Sequence, residues 1–247
     1  MGFRVISLRT PTAKLIFLTL LLIGLAAGLN PRVLHAHPAT VPDIPVYRVK
    51  TSQKVMALTI NVVWGTSYVP QLAQILEKAG VPATFMLGGA WAKAHPDLVR
   101  QLARDGNELG NHGWNHAHPT QLGYEALVDD IRRTNDTIQS IAGVMPTVYA
   151  PPYGEFNRTV LQAAQSLHMT LTMWTIDTID WRPSSSVDYM VNKISRLKAP
   201  GAIVLMHPTD RTVAALPLII EVLKADGYRL VTVTRLLQSG TPATDAQ

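Results

Sequence analysis

Eight histidines occur in 247 residues, and three of them, His112, His116 and His118, fall within seven positions. His112 and His116 stand four apart, a spacing that on a helical turn sets two imidazoles on one face, as a divalent metal requires. Bare HxxxH is a weak signal, and a pair of solvated or helix-capping histidines would show the same spacing. His207 follows the apolar run Ile203-Val204-Leu205-Met206, so a buried strand would deliver a further imidazole to its end. There it reads as a general acid paired with a carboxylate such as Asp180, or as a hydrogen-bonded loop residue. Asp177 and Asp180, three apart, suit an acid–base pair, a metal ligand or simple turn caps. Trp64, Trp114 and Trp181 read equally as walls on which a sugar ring stacks and as rim packing. His95 and His168 look like ordinary helix-start and helix-end residues.

These groups need elements to carry them. From Lys54 onward apolar β-branched runs alternate with helical patterns. The spacing predicts strands at 55–62, 83–87, 108–111, 148–150, 170–176, 202–206 and 229–233. Between them it predicts helices over 69–79, 96–105, 124–141, 158–167, 187–197 and 212–226, several of them stopped by glycine. Strand–helix alternation over this length argues for a parallel α/β sheet or barrel. Seven strands favour closure, although periodicity alone also fits an open sheet. In such folds functional groups gather past the C-terminal strand ends, where Asn61, His112, His116, Tyr153, Asp177, Asp180 and His207 all fall.

Composition bounds the remainder. With 47% hydrophobic and 16% charged residues the chain is too apolar for disorder. The absence of cysteine excludes a disulfide scaffold, a Cys-ligated zinc and a thiol nucleophile. Of 22 Lys+Arg, four (Arg4, Arg9, Lys14, Arg32) precede residue 37 without any acidic residue, and removing them leaves 18 against 17 Asp+Glu. The predicted domain therefore lacks the positive field of a nucleic-acid binder. Residues 15–29 carry no charge behind that basic stretch, too short for a span and suited to a secretory signal. The expected organisation is a signal peptide or N-terminal membrane anchor at 1–36, a linker at 37–52, a catalytic-type domain at 53–239 and a disordered tail at 240–247. Membrane contact would come only through the N-terminal segment, and the domain would work outside the cytoplasm.

Five loops in this order, Asn61-Val62-Val63-Trp64-Gly65, His112–His116, Ala150-Pro151-Pro152-Tyr153-Gly154, Asp177–Trp181 and Leu205-Met206-His207, resemble the NodB-homology polysaccharide deacetylases, carbohydrate esterase family 4. The Trp64-Gly65 ending of the first loop is similar to the sporulation-associated subgroup. The resemblance covers roughly 54–239. It implies a distorted (β/α)7 barrel, a divalent metal, usually zinc, and removal of N-acetyl groups from N-acetylglucosamine units of peptidoglycan or a chitin-like glycan. It also implies roles: His112 and His116 as metal ligands, His207 as acid and Asp180 as its orienting carboxylate. Leu205 and Trp181 would wall the acetyl methyl pocket, and Tyr153 with Pro152 would lie in the substrate groove.

The same resemblance exposes departures. Where the family has a basic Asp followed by a metal-binding Asp, this chain has Asn61 and Val62; where it has an Arg, this chain has Ala150. A neutral amide cannot take a proton from water, and an isopropyl group cannot bind zinc. Either another carboxylate, Asp177 or Glu155, stands in for a rebuilt site, or the barrel binds glycan without cleaving it. A structural domain with no ligand is the third expectation.

Overall fold

The computed structural model of the protein describes residues 41–245. The signal or anchor expected at 1–36 lies outside the described residues. Among these no helix is long and apolar enough to cross a membrane.

In chain order the elements are β1 (Arg48–Lys50), β2 (Val55–Val62), α1 (Val69–Ala79), β3 (Thr84–Leu87), α2 (Gly89–Ala94), α3 (Pro96–Arg104), β4 (Glu108–Asn111) and α4 (Tyr124–Ala142). There follow β5 (Val148–Tyr149), α5 (Arg158–Ser166), β6 (Thr170–Leu171), β7 (Ile176–Asp177), α6 (Val187–Leu197), β8 (Ile203–Met206), α7 (Asp210–Ala225), β9 (Arg229–Val231), α8 (Val233–Leu237) and β10 (Thr241–Ala243). The main sheet is parallel throughout, ordered β6-β5-β4-β3-β2-β8-β7, with β9 also paired to β2.

The strand expected over 170–176 is two strands at opposite ends of this sheet. β6 and β7 are six inter-strand gaps apart, about 29 Å if the sheet were flat at ~4.8 Å per gap. The five residue steps from Leu171 to Ile176 reach at most about 18 Å. The sheet must therefore curl until its edges approach, which makes the distorted barrel. Thr175 N–H donates to the Ile203 carbonyl as the chain crosses the seam (3.0 Å).

The segments expected as linker and tail are in part ordered as well. β1 and β10 pair antiparallel, Arg48 opposite Ala243, in a two-stranded ribbon separate from the main sheet.

Side-chain alternation sorts the strands into two faces. Met56, Leu58, Ile60 and Val62 of β2 pack with Phe85, Leu87, Val204 and Met206 in the layer shared with the helices. Val55 and Ala57 pack with Met86, Val148 and Ile203 in a separate cluster inside the barrel. One end of that interior is held by Glu108, whose carboxylate accepts from the Thr84 hydroxyl (2.7 Å) and from both the backbone N–H and the hydroxyl of Thr234. These bonds dock α8 on the N-terminal ends of the strands and leave the C-terminal ends for the site.

Candidate functional site

The same alternation sets which residues enter the mouth. Asn61 shares a face with Ala57, so it points inward, whereas Val62 faces the helix layer and is fully buried there. Val63, the next residue to face inward, lines the cavity beside Asn61. On β8, Leu205 faces inward with Ile203, and continuing the period brings in His207. A cavity of about 380 Å³ results, its walls including Asn61, Val63, His112, His116, Asp177, Leu205 and His207, with Trp64, Tyr153, Trp174 and Trp181 as aromatic walls.

The two histidines of the HxxxH pair meet without a helix. Residues 112–118 form a loop with Gly113 at φ 70° and His116 at φ 55°, which brings the rings to 4.9 Å between centroids. His112 is buried, and its Nδ1 lies 2.6 Å from the Ala150 carbonyl. A carbonyl only accepts, so Nδ1 carries the hydrogen and Nε2 keeps a free lone pair. Burial, then the neighbouring His116, hold the His112 pKa down at about 3, against an opposing pull from the Ala150 carbonyl. Burial also lowers His116, with smaller contributions from His207 and His118. Two neutral imidazoles with lone pairs suit a divalent ion. Among the described residues, however, no group of three or more His, Cys, Asp or Glu gathers as a metal site, so the donor set falls short of a three-ligand catalytic zinc.

The acid arm is fully built. Asp180 is 0% exposed and accepts from His207 Nδ1 (2.8 Å), the His207 backbone N–H (2.5 Å) and the Thr212 hydroxyl (2.5 Å). The Nδ1–H contact turns Nε2 of His207 away from the carboxylate. Arg211 donates to the Asp180 carbonyl (2.8 Å), and Thr209 caps α7 through the Thr212 N–H (3.0 Å). The Trp64 ring lies parallel to His207, 5.9 Å between centroids. Gly65, at φ 70°, lets this loop touch the next one, since a Cβ there would sit 2.2 Å from the Pro208 carbonyl oxygen.

Asp177 is the one carboxylate among the residues lining the cavity, and its Oδ1 accepts from the Ile179 N–H (2.7 Å). That bond holds a β-branched residue at φ 57°, a conformation costing about 1–3 kcal/mol. Among the described residues His116, Tyr153 and Ile179 are three of the four non-glycine residues with positive φ, so backbone strain concentrates at this rim.

Several expectations are corrected by packing. Trp114 is buried, stands against Gly89 and is capped by the Arg133 guanidinium at 3.6 Å, so it is no sugar platform. Pro152 is buried against Gly113 and does not line the cavity. Glu155 is drawn off by His118 (3.0 Å) and Thr120 (3.1 Å), which removes it as a stand-in carboxylate. His118 stacks on Tyr153 at 4.1 Å, and His116 meets the same ring at 4.3 Å, so the tyrosine is held between two imidazoles. Ala150, in the place of the expected Arg, contributes its carbonyl to His112 and its methyl group to the interior cluster. The sequence reading missed Trp174, which a Cβ on Gly154 would approach to 2.7 Å, and also missed Thr212 and Arg211. Thr209 is a helix N-cap residue type at the start of α7, and a cap bonds the N–H three residues on, a signal that points to Thr212.

Asn61 stands apart from this bonded frame. It is 4% exposed, and its Oδ1 is buried with no hydrogen-bond partner among the described residues. A buried, unpaired acceptor costs about 1–3 kcal/mol.

Comparison with known proteins agrees with this geometry. Residues 48–172 match the Polysaccharide deacetylase family, a stretch that ends before the acid arm. The chain is 36% identical over 201 residues to the uncharacterized protein YlxY of Bacillus subtilis, covering 81% of this chain and 63% of that protein. It is 31% identical over 216 residues to the peptidoglycan-N-acetylglucosamine deacetylase PgdA of Listeria monocytogenes, covering 87% of this chain and 45% of that protein. The chain thus spans less than two thirds of either relative. Among solved structures, a CE4 family pseudoenzyme from Bacillus anthracis superposes with a TM-score of 0.78 at 36% identity, over 81% of this chain and 71% of that one. A mutant of that pseudoenzyme, described as having restored enzymatic activity, superposes with the same score at 35% identity, over 81% and 73% of the two chains.

Proposed function

Since the chain belongs to the polysaccharide deacetylase family, we propose that its cavity engages N-acetylglucosamine units of peptidoglycan or a chitin-like glycan, outside the cytoplasm, as a deacetylase-like hydrolase. The observation that carries this reading is the convergence of His112, His116 and His207, from two distant loops, on one cavity walled by Leu205 and Trp181. Leu205 and Trp181 would hold the acetyl methyl group, and Tyr153 would border the sugar. With its Oδ1 tied, Asp177 would take the proton of the attacking water on Oδ2. Protonated His207, oriented by Asp180, would then deliver a proton from Nε2 to the departing amine. A divalent cation on His112 and His116, zinc by ligand chemistry, would need solvent in its remaining positions, and no step here passes through it.

A second reading, glycan binding without turnover, is favoured by the neutral Asn61 and Val63 at the cavity wall and by the likeness to a pseudoenzyme. Loss of a positioned base lowers rates by about 10²–10⁴-fold. Binding is therefore expected to outlast efficient hydrolysis in this site. The test is acetate release from peptidoglycan and N-acetylglucosamine oligomers by zinc-supplemented protein, beside His207→Ala. Release lost in the variant supports the hydrolase. Equal background from both, with glycan still bound, supports the binder. Failure of both proteins to bind any N-acetylated glycan overturns both readings.

A further inference from the structure

The pole opposite the mouth carries a second polar cavity, of about 340 Å³, at the N-terminal ends of the strands. Its walls follow from local periods. Gln53 and Val55 lie two apart where the chain enters β2, and Arg229 and Val231 alternate in the same way on β9, while Leu230 between them is buried in the core. Arg235, Gln238 and Ser239, at i, i+3 and i+4, present one side of α8 and the turn that ends it. The frame behind these side chains is fixed. Val55 stands opposite Arg229 in the sheet, and the Thr84 hydroxyl accepts from the Val233 N–H at the start of α8 (2.9 Å).

Two positive charges meet here without a counter-charge. No Asp or Glu is among the residues lining the cavity. Neither Arg229 nor Arg235 has a carboxylate partner among the described residues, whereas Arg48, Arg100, Arg132 and Lys198 are ion-paired. The contacts they do make are to neutral glutamines, Arg229 Nη2 to Gln53 Oε1 at 3.4 Å and Arg235 Nη1 to Gln238 Oε1 at 3.5 Å. Both exceed the usual ~2.7–3.2 Å, so most of the guanidinium donors are open to a ligand. A carboxylate has two oxygens in one plane and fills one guanidinium fork. A phosphate monoester has three terminal oxygens arranged tetrahedrally and a charge of about −1.5 to −2, which matches two forks arriving from separate elements. We propose that Arg229 and Arg235 form a binding site for phosphate monoesters at the base of the barrel. This site is separate from the glycan cavity and stands whether or not that cavity turns over its ligand.

The test is calorimetric titration of the full chain in low-salt buffer with inorganic phosphate, with glycerol 3-phosphate, and with acetate as the planar anion. Wild type is expected to bind both phosphates with a dissociation constant of about 1 mM or tighter, and at least about tenfold more tightly than acetate. Arg229→Gln/Arg235→Gln should weaken phosphate binding at least about tenfold. The charge-matched Arg132→Gln/Arg158→Gln, on α4 and α5, should bind as wild type does. Co-sedimentation with phosphatidylcholine vesicles, with and without phosphatidic acid, separates the sources of the group. Greater retention of wild type than of the Arg229→Gln/Arg235→Gln protein, on phosphatidic acid alone, identifies a lipid headgroup; equal retention identifies a water-soluble phosphate ester. Absence of phosphate binding, acetate bound as tightly, undiminished binding by the Arg229→Gln/Arg235→Gln protein, or equal loss in both double variants overturns the inference and leaves the glycan reading standing.

Discussion

Acidification should weaken this fold in large part through one buried imidazole, His112. In the unfolded chain His112 takes up a proton near its ordinary 6.5; in the folded protein burial delays this to about 3. Between those values the unfolded state binds more protons, so stability falls as pH falls. The contribution is complete above about pH 6.5 and is lost at about 1.4 kcal/mol for each pH unit below it. Going from pH 7.5 to about 4.5 should thus remove roughly 2–3 kcal/mol, a large share of the ~5–15 kcal/mol that holds a typical domain. The perturbation is His112→Asn, whose amide can still donate to the Ala150 carbonyl while carrying no titrating group. The assay is urea unfolding of metal-free protein at pH 7.5 and 4.5. Wild type should lose roughly 2–3 kcal/mol more than the variant over that range, while His116, lowered in the same direction, remains in both. Equal losses would mean that His112 is not held neutral in the folded protein, and the tautomer and ligand assignments built on its Nδ1 contact would go with it.

Two other substitutions test the frame around it. Asp180→Asn keeps the shape but has one acceptor oxygen for three donors. That oxygen should stay with the His207 N–H and the Thr212 hydroxyl, forcing the amide NH2 against His207 Nδ1; we expect a loss of about 2–4 kcal/mol in thermal unfolding and a hydrogen moved to Nε2 in the histidine 15N spectrum. An unchanged tautomer would refute the acid-arm geometry. For the first loop, Val62→Asp should cost about 3–5 kcal/mol by burying an unpaired charge in the helix layer, whereas Val63→Asp, alone or with Asn61→Asp, should be tolerated and raise acetate release. The opposite pattern of stability would show that the strand register is wrong.

What the sequence made legible follows from local periodicity. Odd-numbered residues of β2 and β8 face one way, so Asn61 and His207 had to arrive at the same mouth once both strands were parallel neighbours. The 170–176 run looked like one strand because its composition stays β-like, and only closure of the sheet forces the break that turns Trp174 into the cavity. Trp114 could not be placed from its own neighbourhood, because Gly89 and Arg133, which bury it, come from other helices. β1 and β10 are three residues each and almost 200 positions apart, and Pro242 lies within the second. Their pairing has no local signature.

The charge layout explains why the two halves of this cavity differ in chemical competence. The oxygens of Asp180 are committed to His207 and Thr212, so this carboxylate serves the acid arm and does not face a ligand. On the opposite wall Asn61 and Val63 supply neither a proton acceptor nor a negative field, and His112 and His116 beside them resist protonation because they are buried and lie next to other imidazoles. Adding a carboxylate there would therefore do two things at once. It would create a base, and it would favour cations near His112 and His116, whether protons or a metal. A base gained without a metal would drive the imidazoles towards imidazolium at mildly acidic pH and occupy the lone pairs that a metal needs. Turnover beyond what Asp177 and His207 support thus gains most when charge and cation arrive together.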